Sequence, residues 1–572
     1  MDGSNYSDLR KSVIVPSATD RRRDTELSDE ARRRIELNTQ RALDVAGFGR
    51  SNYKTVLVSG LICINVTFSI TSLGFIMPSA ACDFNMDTVD KGRISTSLIA
   101  GMLFGFLLWS WIADSQGRKR ALVQCLLLHF CSECAAALIS NYWGFVFLKF
   151  FSGVAESGQM TIVYTYVGEF QPTKYREKVL CYMQMALQLG VTISPVLAWF
   201  VIPLDVDLTV SSFSFKSWNL FVITGALSPL LIALSLLPLL ETPKFLADTG
   251  RYADLYKVLD AMYRENTGNS SEEYLAKLDK AGIPLPNAPT KENIDDGTVD
   301  RLPVANSFRK IFKSLYGQTG GLFRRPYIGR TLNICVGTYL CFAALYSLMF
   351  WFPEMFSRFA DFEKQHPGEK SSMCIVSTSS ALMRELEFNR TNTNSSEPMG
   401  EMRICDSTIE SEVYKNTLII GLAGIPATIL FILSAARIGL RYCLVCNSLI
   451  CCAGTVGMIF VTSSTQHLII SSVYSSLMTI SVAILHCLTV ELYPTNLRVS
   501  ATALSAIFGR VGAFFGNMSF GYLIDYHCYI LVSIVAVQLF LSGGLAVVLT
   551  DGEQDETKRR KWKPVDTECN ED

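Results

Sequence analysis

Charged residues are nearly missing from about a dozen long stretches of this 572-residue sequence. They gather instead at the two termini and in a few short segments between the apolar runs. About 20 apolar residues span a bilayer as a helix, and each run must be helical in lipid because its backbone finds no water there. The distribution of charge therefore indicates a membrane protein, although the hydrophobic content of 49% is ordinary for a globular one.

Other absences narrow the function. No apolar segment follows Met1, so no cleavable signal peptide is expected. No stretch resembles a nucleotide-binding loop, and no nucleophile, base and orienting group recur together, which argues against an ATP-driven pump and against an enzyme. The pairs Cys131-x-x-Cys134 and Cys443-x-x-Cys446 lack the companion ligands of a zinc site. We expect no cofactor, no metal and no nucleic-acid partner.

One motif, E-x-x-P-T-x-x-R, occurs twice between apolar runs. It covers residues 169–176 and, 322 positions later, residues 491–498. The same spacing relates two pairs of glycines, Gly117 with Gly439 and Gly190 with Gly512. Three matches at one spacing indicate an internal duplication, and duplicated membrane halves are a common plan among transporters.

The apolar runs predict an all-α membrane protein with twelve transmembrane helices in two pseudo-symmetric six-helix halves. The runs lie at 54–78, 92–112, 121–140, 143–168, 179–203, 217–240, 329–352, 415–436, 442–462, 467–490, 499–524 and 528–549. Basic residues cluster in the segments that an even number of crossings places on one side, such as 118–120, 174–178 and 558–561. Because positive charge favours the cytoplasmic side, both termini are predicted to be cytoplasmic.

This topology divides the chain into five parts. They are a cytoplasmic N-terminal tail (1–53), an N-terminal half (54–240), a cytoplasmic linker (241–328), a C-terminal half (329–549) and a cytoplasmic C-terminal tail (550–572). In the linker, Leu255, Val258, Leu259 and Met262 recur at helical spacing and predict a short amphipathic helix lying under the bundle.

The longest predicted outer loop, residues 353–414, has the features of a segment exposed to an oxidising compartment. Asn389 and Asn394 each begin a glycosylation sequon. Cys374 and Cys405 are candidates for a disulfide there. The chain is therefore expected to be a glycoprotein.

Three short motifs resemble those of known transporters. Residues 114–119 read D-S-Q-G-R-K and are similar to the loop after helix 2 of the major facilitator superfamily. Residues 241–244, E-T-P-K, resemble a motif after helix 6 of its sugar-porter and organic-ion branches. Residues 491–495, E-L-Y-P-T, resemble an element shared by organic-cation transporters and synaptic vesicle proteins.

A closer resemblance, to the synaptic vesicle glycoprotein 2 proteins, is carried by G-F-I-M-P-S-A at 74–80, F-S-G-V at 151–154 and W-F-P-E-M at 351–355. Those proteins also have a long glycosylated loop between helices 7 and 8. The chain departs from them at 65–70, N-V-T-F-S-I, where they carry acids in helix 1. Helix 1 therefore offers no acid here for coupling a proton or cation.

The resemblance implies a clamp of ion pairs on the cytoplasmic face that favours the outward-facing state. The alternative is a set of solvated anchors that contribute little, and the repetition in both halves favours the clamp. The residues concerned are Asp114, Arg118, Lys119, Glu169, Arg176, Glu241, Glu491 and Arg498.

Ionisable residues inside membrane helices are costly, which makes them functional candidates. Glu156, in helix 4, and Arg510, in helix 11, are the first candidates for contact with a solute or ion, and the alternative for each is a buried structural charge. Lys149 lies about 10 Å from Glu156 along the helix, too far to pair, and is expected to snorkel outward or line a cavity near the outer face. Glu133 is a candidate for a structural pairing.

Aromatic residues on helices 4 and 7 are candidates for stacking on a cationic or ring-shaped ligand, and the alternative is packing or an interfacial belt. They are Tyr164, Tyr166, Tyr339, Tyr346 and Trp351. His486 is a candidate titrating group, with a simple hydrogen-bonded histidine as the alternative.

Two functions follow from these features. The first is a secondary transporter that binds a small organic solute between its halves and works by alternating access in the plasma membrane or a vesicle membrane. The second is a non-transporting, vesicle-type membrane glycoprotein that binds partners or ligands, with its termini as candidate sites for cytoplasmic proteins. The missing helix 1 acids favour the second function, whereas the paired motifs and the buried Glu156 and Arg510 favour transport.

Overall fold

The structure is a computed structural model of the chain. It describes residues 34–204, 206–210, 213–283, 320–325, 327–367, 371–379, 409–493 and 495–548. Asn389, Asn394 and Cys405 lie outside the described residues, as do both ends of the chain.

Each of the twelve predicted runs coincides with a long helix in the described part of the chain. In chain order, the first elements are α1 (34–46), α2 (Arg50–Ser79), α3 (Thr88–Gln116), α4 (Arg118–Leu138), α5 (Tyr142–Glu169), α6 (Thr173–Val201), β1 (Asp207–Val210), β2 (Phe213–Lys216) and α7 (Ser217–Leu236). They are followed by α8 (Pro243–Asp248), α9 (Tyr252–Thr267), α10 (Ser271–Lys280), α11 (Ile328–Leu348), α12 (Phe352–Gln365), α13 (Ser411–Ile438), α14 (Leu440–Gly457), α15 (Ser464–Leu492), α16 (Thr495–Leu523) and α17 (Cys528–Val548). The predicted helical fold class is confirmed, and ten stretches are long and apolar enough to cross a membrane.

The predicted outer loop begins later than expected. Residues Met349–Trp351 form a 3-10 turn, and the chain then continues as α12 to Gln365 instead of leaving the helix at residue 353. Pro353 stands in the first turn of α12, where its missing N–H costs nothing. Hydropathy falls there because α12 is amphipathic, so the apolar run ends while the helix continues. A second unexpected element is the antiparallel hairpin of β1 and β2 before α7.

The predicted amphipathic helix in the linker is α9. Leu255, Val258, Leu259 and Met262 are all buried on one of its faces. Two shorter helices, α8 and α10, flank it, so the segment contains more regular structure than the sequence predicted. Residues 284–319 of the linker lie outside the described residues.

The chain divides into two compact units. The described residues of the smaller one are 34–56, 166–179 and 240–283. Asn266 of α9 holds it together, because its side-chain amide donates to Gly47 O at 3.1 Å and to Asn52 Oδ1 at 2.9 Å, while its oxygen accepts from Ser51 N at 3.0 Å. Burial raises the pKa of the Tyr274 phenol, which donates to a backbone carbonyl of α1.

The larger unit contains the rest of the membrane helices, and repeated glycines shape it in both halves. A Cβ atom on Gly190 would lie 2.4 Å from the carbonyl oxygen of Ile64 on α2, and one on Gly512 would lie 2.2 Å from that of Tyr339 on α11. Glycine alone permits both helix contacts, α6 with α2 and α16 with α11. Gly117 and Gly439 both have positive φ angles, 104° and 90°, between consecutive helices. The duplication seen in the sequence is therefore repeated in the backbone.

Candidate functional site

Two polar stripes run along α4 and α5 and meet inside the larger unit. His129 and Glu133 are four residues apart on α4, whereas Lys149, Ser152 and Glu156 are spaced by three and four residues on α5. Such spacing places each set on one helix face. Because the facing residues are polar on both helices, the contact is made by hydrogen bonds and ion pairs instead of apolar packing.

The upper part of this contact is an ion pair between Lys149 and Glu133. Lys149 Nζ lies 2.8 Å from Glu133 Oε2 and 3.0 Å from Oε1, and Ser152 donates a further hydrogen bond to Glu133. Lys149 is only 2% exposed. The prediction that Lys149 snorkels or lines a cavity is therefore wrong, since a carboxylate on the neighbouring helix lies directly within its reach. Glu133 has the structural pairing proposed for it.

The lower part of the contact contains Glu156, which is fully buried. Its Oε1 lies 3.6 Å from His129 Nε2, and that nitrogen also lies 3.1 Å from Ser69 Oγ on α2. Among the described residues, neither carboxylate oxygen of Glu156 has a donor within hydrogen-bond geometry. A buried carboxylate without full hydrogen bonding is costly, so Glu156 stays a candidate functional residue.

Amide side chains complete the surroundings of His129. Its Nδ1 lies 3.3 Å from Asn65 Nδ2 and 3.1 Å from Gln159 Nε2, and the two amides also bond to each other at 2.8 Å. Ser228 of α7 donates to the oxygen of Asn65. Asn65 belongs to the segment 65–70 of α2, which has no acidic residue. This segment therefore contacts His129 through an amide side chain instead of a carboxylate. The sequence analysis missed His129, and the signal that could have revealed it is its spacing to Glu133.

Arg510 occupies a different environment, lined by both halves. Its guanidinium carbon lies 4.9 Å from the ring centre of Phe106 on α3, and its Nε is buried with no acceptor among the described residues. Tyr346 of α11 lies within electrostatic range of both Arg510 and Glu156. His486 of α15 is another neighbour of Arg510. Arg510, Tyr346 and His486 are all partly exposed.

The remaining aromatic candidates are divided between cavity and core. Tyr164 and Tyr339 are partly exposed, and Gln184 donates to the Tyr164 hydroxyl at 3.3 Å. Tyr166 is fully buried and donates to Leu240 O. Trp351 is also fully buried, with its ring stacked 4.4 Å from that of Phe520. In this conformation Tyr166 and Trp351 are therefore packing residues, which was the alternative for each.

A second group of buried charges, which the sequence analysis missed, joins the two halves. Lys91 of α3 donates to both oxygens of Glu354 on α12, at 2.9 Å and 2.7 Å. Arg358 donates to Glu354 at 3.2 Å and to Asp525 at 2.7 Å. Arg358 Nη2 also donates to Thr88 Oγ1 of α3 at 2.8 Å. We call Lys91, Glu354, Arg358 and Asp525 the outer-end cluster, after the side to which the sequence assigns it.

Neutral contacts lie next to the outer-end cluster. Asn517 of α16 donates to Ser95 Oγ at 2.7 Å and accepts from Trp351 Nε1 at 3.1 Å. A Cβ atom on Gly92 would lie 3.1 Å from the Cα of Gly521, so α3 and α16 approach closely there. The two halves are thus closed against each other at this end.

Several residues of the clamp predicted for the opposite face make local contacts. Arg118 lies 3.4 Å from Asp114, one turn away, and Lys119 donates to Leu237 O at 2.6 Å. In the smaller unit, Arg176 Nε donates to Gly168 O at 3.1 Å, and Glu241 accepts from Thr242 N at 3.1 Å.

Three further members of the predicted clamp differ in exposure. Glu169 is partly buried, Glu491 is exposed, and Arg498 is partly buried. A network that joins all eight residues stays a prediction.

The predicted disulfide is wrong. Cys374 is bonded to Cys528, which begins α17, and not to Cys405. Cys528 is the first residue of the last predicted apolar run, so it was not considered as a partner for Cys374. Its position at the helix end brings it to the same side as the segment that follows α12. Cys82, after α2, is disulfide-bonded as well.

Comparisons with known proteins agree with this architecture. The sequence profile of the Major Facilitator Superfamily matches residues 59–383. Human synaptic vesicle glycoprotein 2B is 25% identical over 341 residues, which are 56% of this chain and 47% of that protein. Human synaptic vesicle glycoprotein 2C is 24% identical over 365 residues, 62% of this chain and 47% of that protein. The matched region is about half the length of these curated relatives.

Solved structures are similar in fold at low sequence identity. The inward-open conformation of the xylose transporter XylE from E. coli has a TM-score of 0.59 and 14% identity, and the match covers 90% of this chain and 100% of that chain. A crystal structure of a D-xylose-proton symporter has a TM-score of 0.55 and 14% identity, with 87% and 97% covered. With a family profile that matches more than half of its length, the chain belongs to the Major Facilitator Superfamily and is a multi-pass membrane protein.

Proposed function

We propose that this chain is a secondary transporter that carries a small organic solute across a membrane by alternating access. The outer-end cluster is the observation that supports this most strongly. Its Lys91–Glu354 ion pair joins α3 of one half to α12 of the other, and Arg358 joins α12 to Asp525, just after α16. Arg510 and Tyr346, by contrast, remain partly exposed. A bundle closed at one end and accessible in its middle corresponds to one state of an alternating-access cycle.

The outer-end cluster is suited to be broken and remade. Lys91, Glu354 and Arg358 are each 5% exposed or less, and Glu354 is shared by the two cations. Removing one partner from a buried ion pair costs about 3–5 kcal/mol because the other charge stays buried and unpaired. Opening the outer end exposes all of these charges to water together, so hydration replaces the lost pairs. The cluster thereby stabilises the closed end without making opening impossible.

The proposal extends to topology and location. Both termini face the cytoplasm, and the protein resides in the plasma membrane or a vesicle membrane. Among the solved structures of similar fold, the xylose transporter is inward-open, which agrees with an outer end that is closed here. The protein acts on its solute by transport and not by a chemical reaction, and its termini are sites for cytoplasmic partners.

The test is uptake into proteoliposomes of sugars, organic cations, organic anions and nucleotides. The wild-type protein should accumulate one class. Glu354→Gln leaves Lys91 and Arg358 without their shared carboxylate, so the closed outer end is destabilised and uptake should fall about tenfold or more.

A matched control is available on α12. Lys364 and Glu410 form an ion pair with side chains 60% and 30% exposed, and pairs in water contribute under about 1 kcal/mol. Glu410→Gln should therefore leave uptake unchanged. Absence of wild-type uptake across all four classes would contradict transport, and normal uptake by Glu354→Gln would contradict the role of the cluster.

The second candidate function is a membrane glycoprotein that binds ligands or partners without transporting them. Asn65 favours it, because this neutral amide stands in the helix 1 window where an acid is expected in the related vesicle proteins. The two functions differ in one result. A non-transporting protein would bind a member of the panel in detergent, with a rise in melting temperature, yet accumulate none of it in proteoliposomes.

A further inference from the structure

The environment of Arg510 indicates the chemical class of the solute, an inference that rests on the proposed transport function. A guanidinium is always charged and offers five N–H donors in a fixed plane. In the part of the chain that the structure describes, Arg510 forms no ion pair, and its Nε has no acceptor. The buried cations Lys91, Lys149 and Arg358 of the larger unit each pair with a carboxylate, whereas Arg510 does not.

The neighbours of Arg510 do not supply the missing negative charge. Phe106 presents its ring face to the guanidinium at 4.9 Å, and Tyr346 and His486 contribute a phenol and an imidazole. Taking a cation out of water costs several kcal/mol unless an anion or hydrogen bonds replace the water. A ring face replaces only part of that lost hydration.

Aromatic rings form the rest of the wall. Phe342 and Tyr346 are stacked with ring centres 6.1 Å apart, and Phe342 meets the His486 ring edge-on at 6.4 Å. These residues come from α11 and α15, while Phe106 comes from α3 in the other half. All of them are partly exposed. They lie beside one positive charge that forms no ion pair among the described residues.

We propose that the solute is an organic anion with a planar apolar body, whose anionic group pairs with Arg510 and whose body lies against these rings. A carboxylate can accept two parallel hydrogen bonds from a guanidinium. A neutral sugar would leave the charge uncompensated, and an organic cation would be repelled. Because the wall includes residues from both halves, a bound anion contacts both bodies that must move in alternating access.

The experiment uses the purified full-length protein in detergent with three aryl carboxylates: benzoate, 3-phenylpropionate and indole-3-acetate. Each is compared with its own primary amide and with an amine of the same ring system, by melting temperature and by isothermal titration. We expect at least one carboxylate to bind and its amide and amine to bind about thirtyfold more weakly or not at all, the loss typical of one removed partner in a buried charge pair. This comparison needs no variant, so it is independent of folding defects.

Variants then assign the effect to Arg510. Arg510→Gln should weaken carboxylate binding about thirtyfold, and Arg510→Lys should retain part of it because the charge stays while the planar fork is lost. Arg93→Gln is the matched control, since Arg93 is a 45% exposed arginine that already pairs with Asp90. Equal binding of acid and amide, unchanged binding by Arg510→Gln, or no binding by any carboxylate would overturn the proposal.

Uptake of the same compounds separates this inference from the proposed function. A carboxylate that binds through Arg510 but is not accumulated in proteoliposomes supports the anion site and contradicts transport. Accumulation of sugars or amines without binding of any carboxylate supports transport and contradicts the anion site.

Discussion

The buried pair of Lys149 and Glu133 gives a sharp test of how this fold is held together. Both Nζ–Oε distances are 3.0 Å or less, and the side chains are 3% and 8% exposed. Lys149→Met would leave the Glu133 carboxylate buried with Ser152 as its remaining donor. We expect a loss of about 3–5 kcal/mol in the free energy of unfolding, because an unpaired buried charge costs far more than the pair contributes.

The double variant should recover most of that loss. With Glu133→Gln added to Lys149→Met, no buried charge remains, and the glutamine can still accept from Ser152. We expect the double variant to unfold within about 1–2 kcal/mol of wild type, which recovers about 2–3 kcal/mol of the loss caused by Lys149→Met alone. The measurement is equilibrium unfolding in detergent micelles, followed by tryptophan fluorescence.

Lys364→Met serves as the control, because the Lys364 side chain is 60% exposed and its pair lies in water. It should change the free energy of unfolding by under about 1 kcal/mol. If Lys149→Met were equally harmless, or if the losses at Lys149 and Glu133 were simply additive, Lys149 could not be the structural cation described here. Its original assignment as a cavity residue would then be restored.

Two further predictions concern stability and packing. Glu156→Gln should raise the melting temperature, because it removes a carboxylate that is fully buried and lacks hydrogen-bond donors among the described residues. The same variant should lower solute uptake. A fall in melting temperature would contradict the cost assigned to the buried carboxylate. Gly512→Ala should cost more than about 1 kcal/mol of stability, because the added Cβ would lie 2.2 Å from a carbonyl oxygen of α11. Gly544→Ala is the control and should be neutral, because a Cβ there would meet no atom within 4 Å. Equal melting temperatures of the two variants would refute the close helix contact.

The helices were the part of the fold that the sequence predicted best. Twelve apolar runs sufficed because each membrane helix must satisfy its own backbone hydrogen bonds, which makes the signal local. The repeated glycines were equally informative. Gly190 and Gly512 stand at close helix contacts, and Gly117 and Gly439 have positive φ angles, so each pair repeats a backbone requirement.

The pairing of side chains could not be predicted in the same way. Lys91 and Glu354 are 263 residues apart in the sequence. Each lies at the end of an apolar run, where a charged residue is usually interpreted as an anchor at the membrane surface. Glu354 also fell in a segment predicted to be a loop, because the amphipathic α12 lowers the hydropathy before the helix ends. His129 was overlooked as one polar residue in an apolar run, and its role depends on α5 facing it. Such contacts depend on tertiary packing, which a single sequence specifies only indirectly.

The disulfide between Cys374 and Cys528 has a consequence for biosynthesis. The two cysteines are 154 residues apart, and Cys528 begins the last membrane helix. At a translation rate of about 5–20 residues per second, Cys374 waits roughly 8–30 s for its partner to be made. With the proposed topology, it is during that interval a thiol in an oxidising lumen, open to mispairing or to capture by an oxidoreductase. Oxidation of this pair therefore marks a chain whose final helix has been inserted in the correct direction.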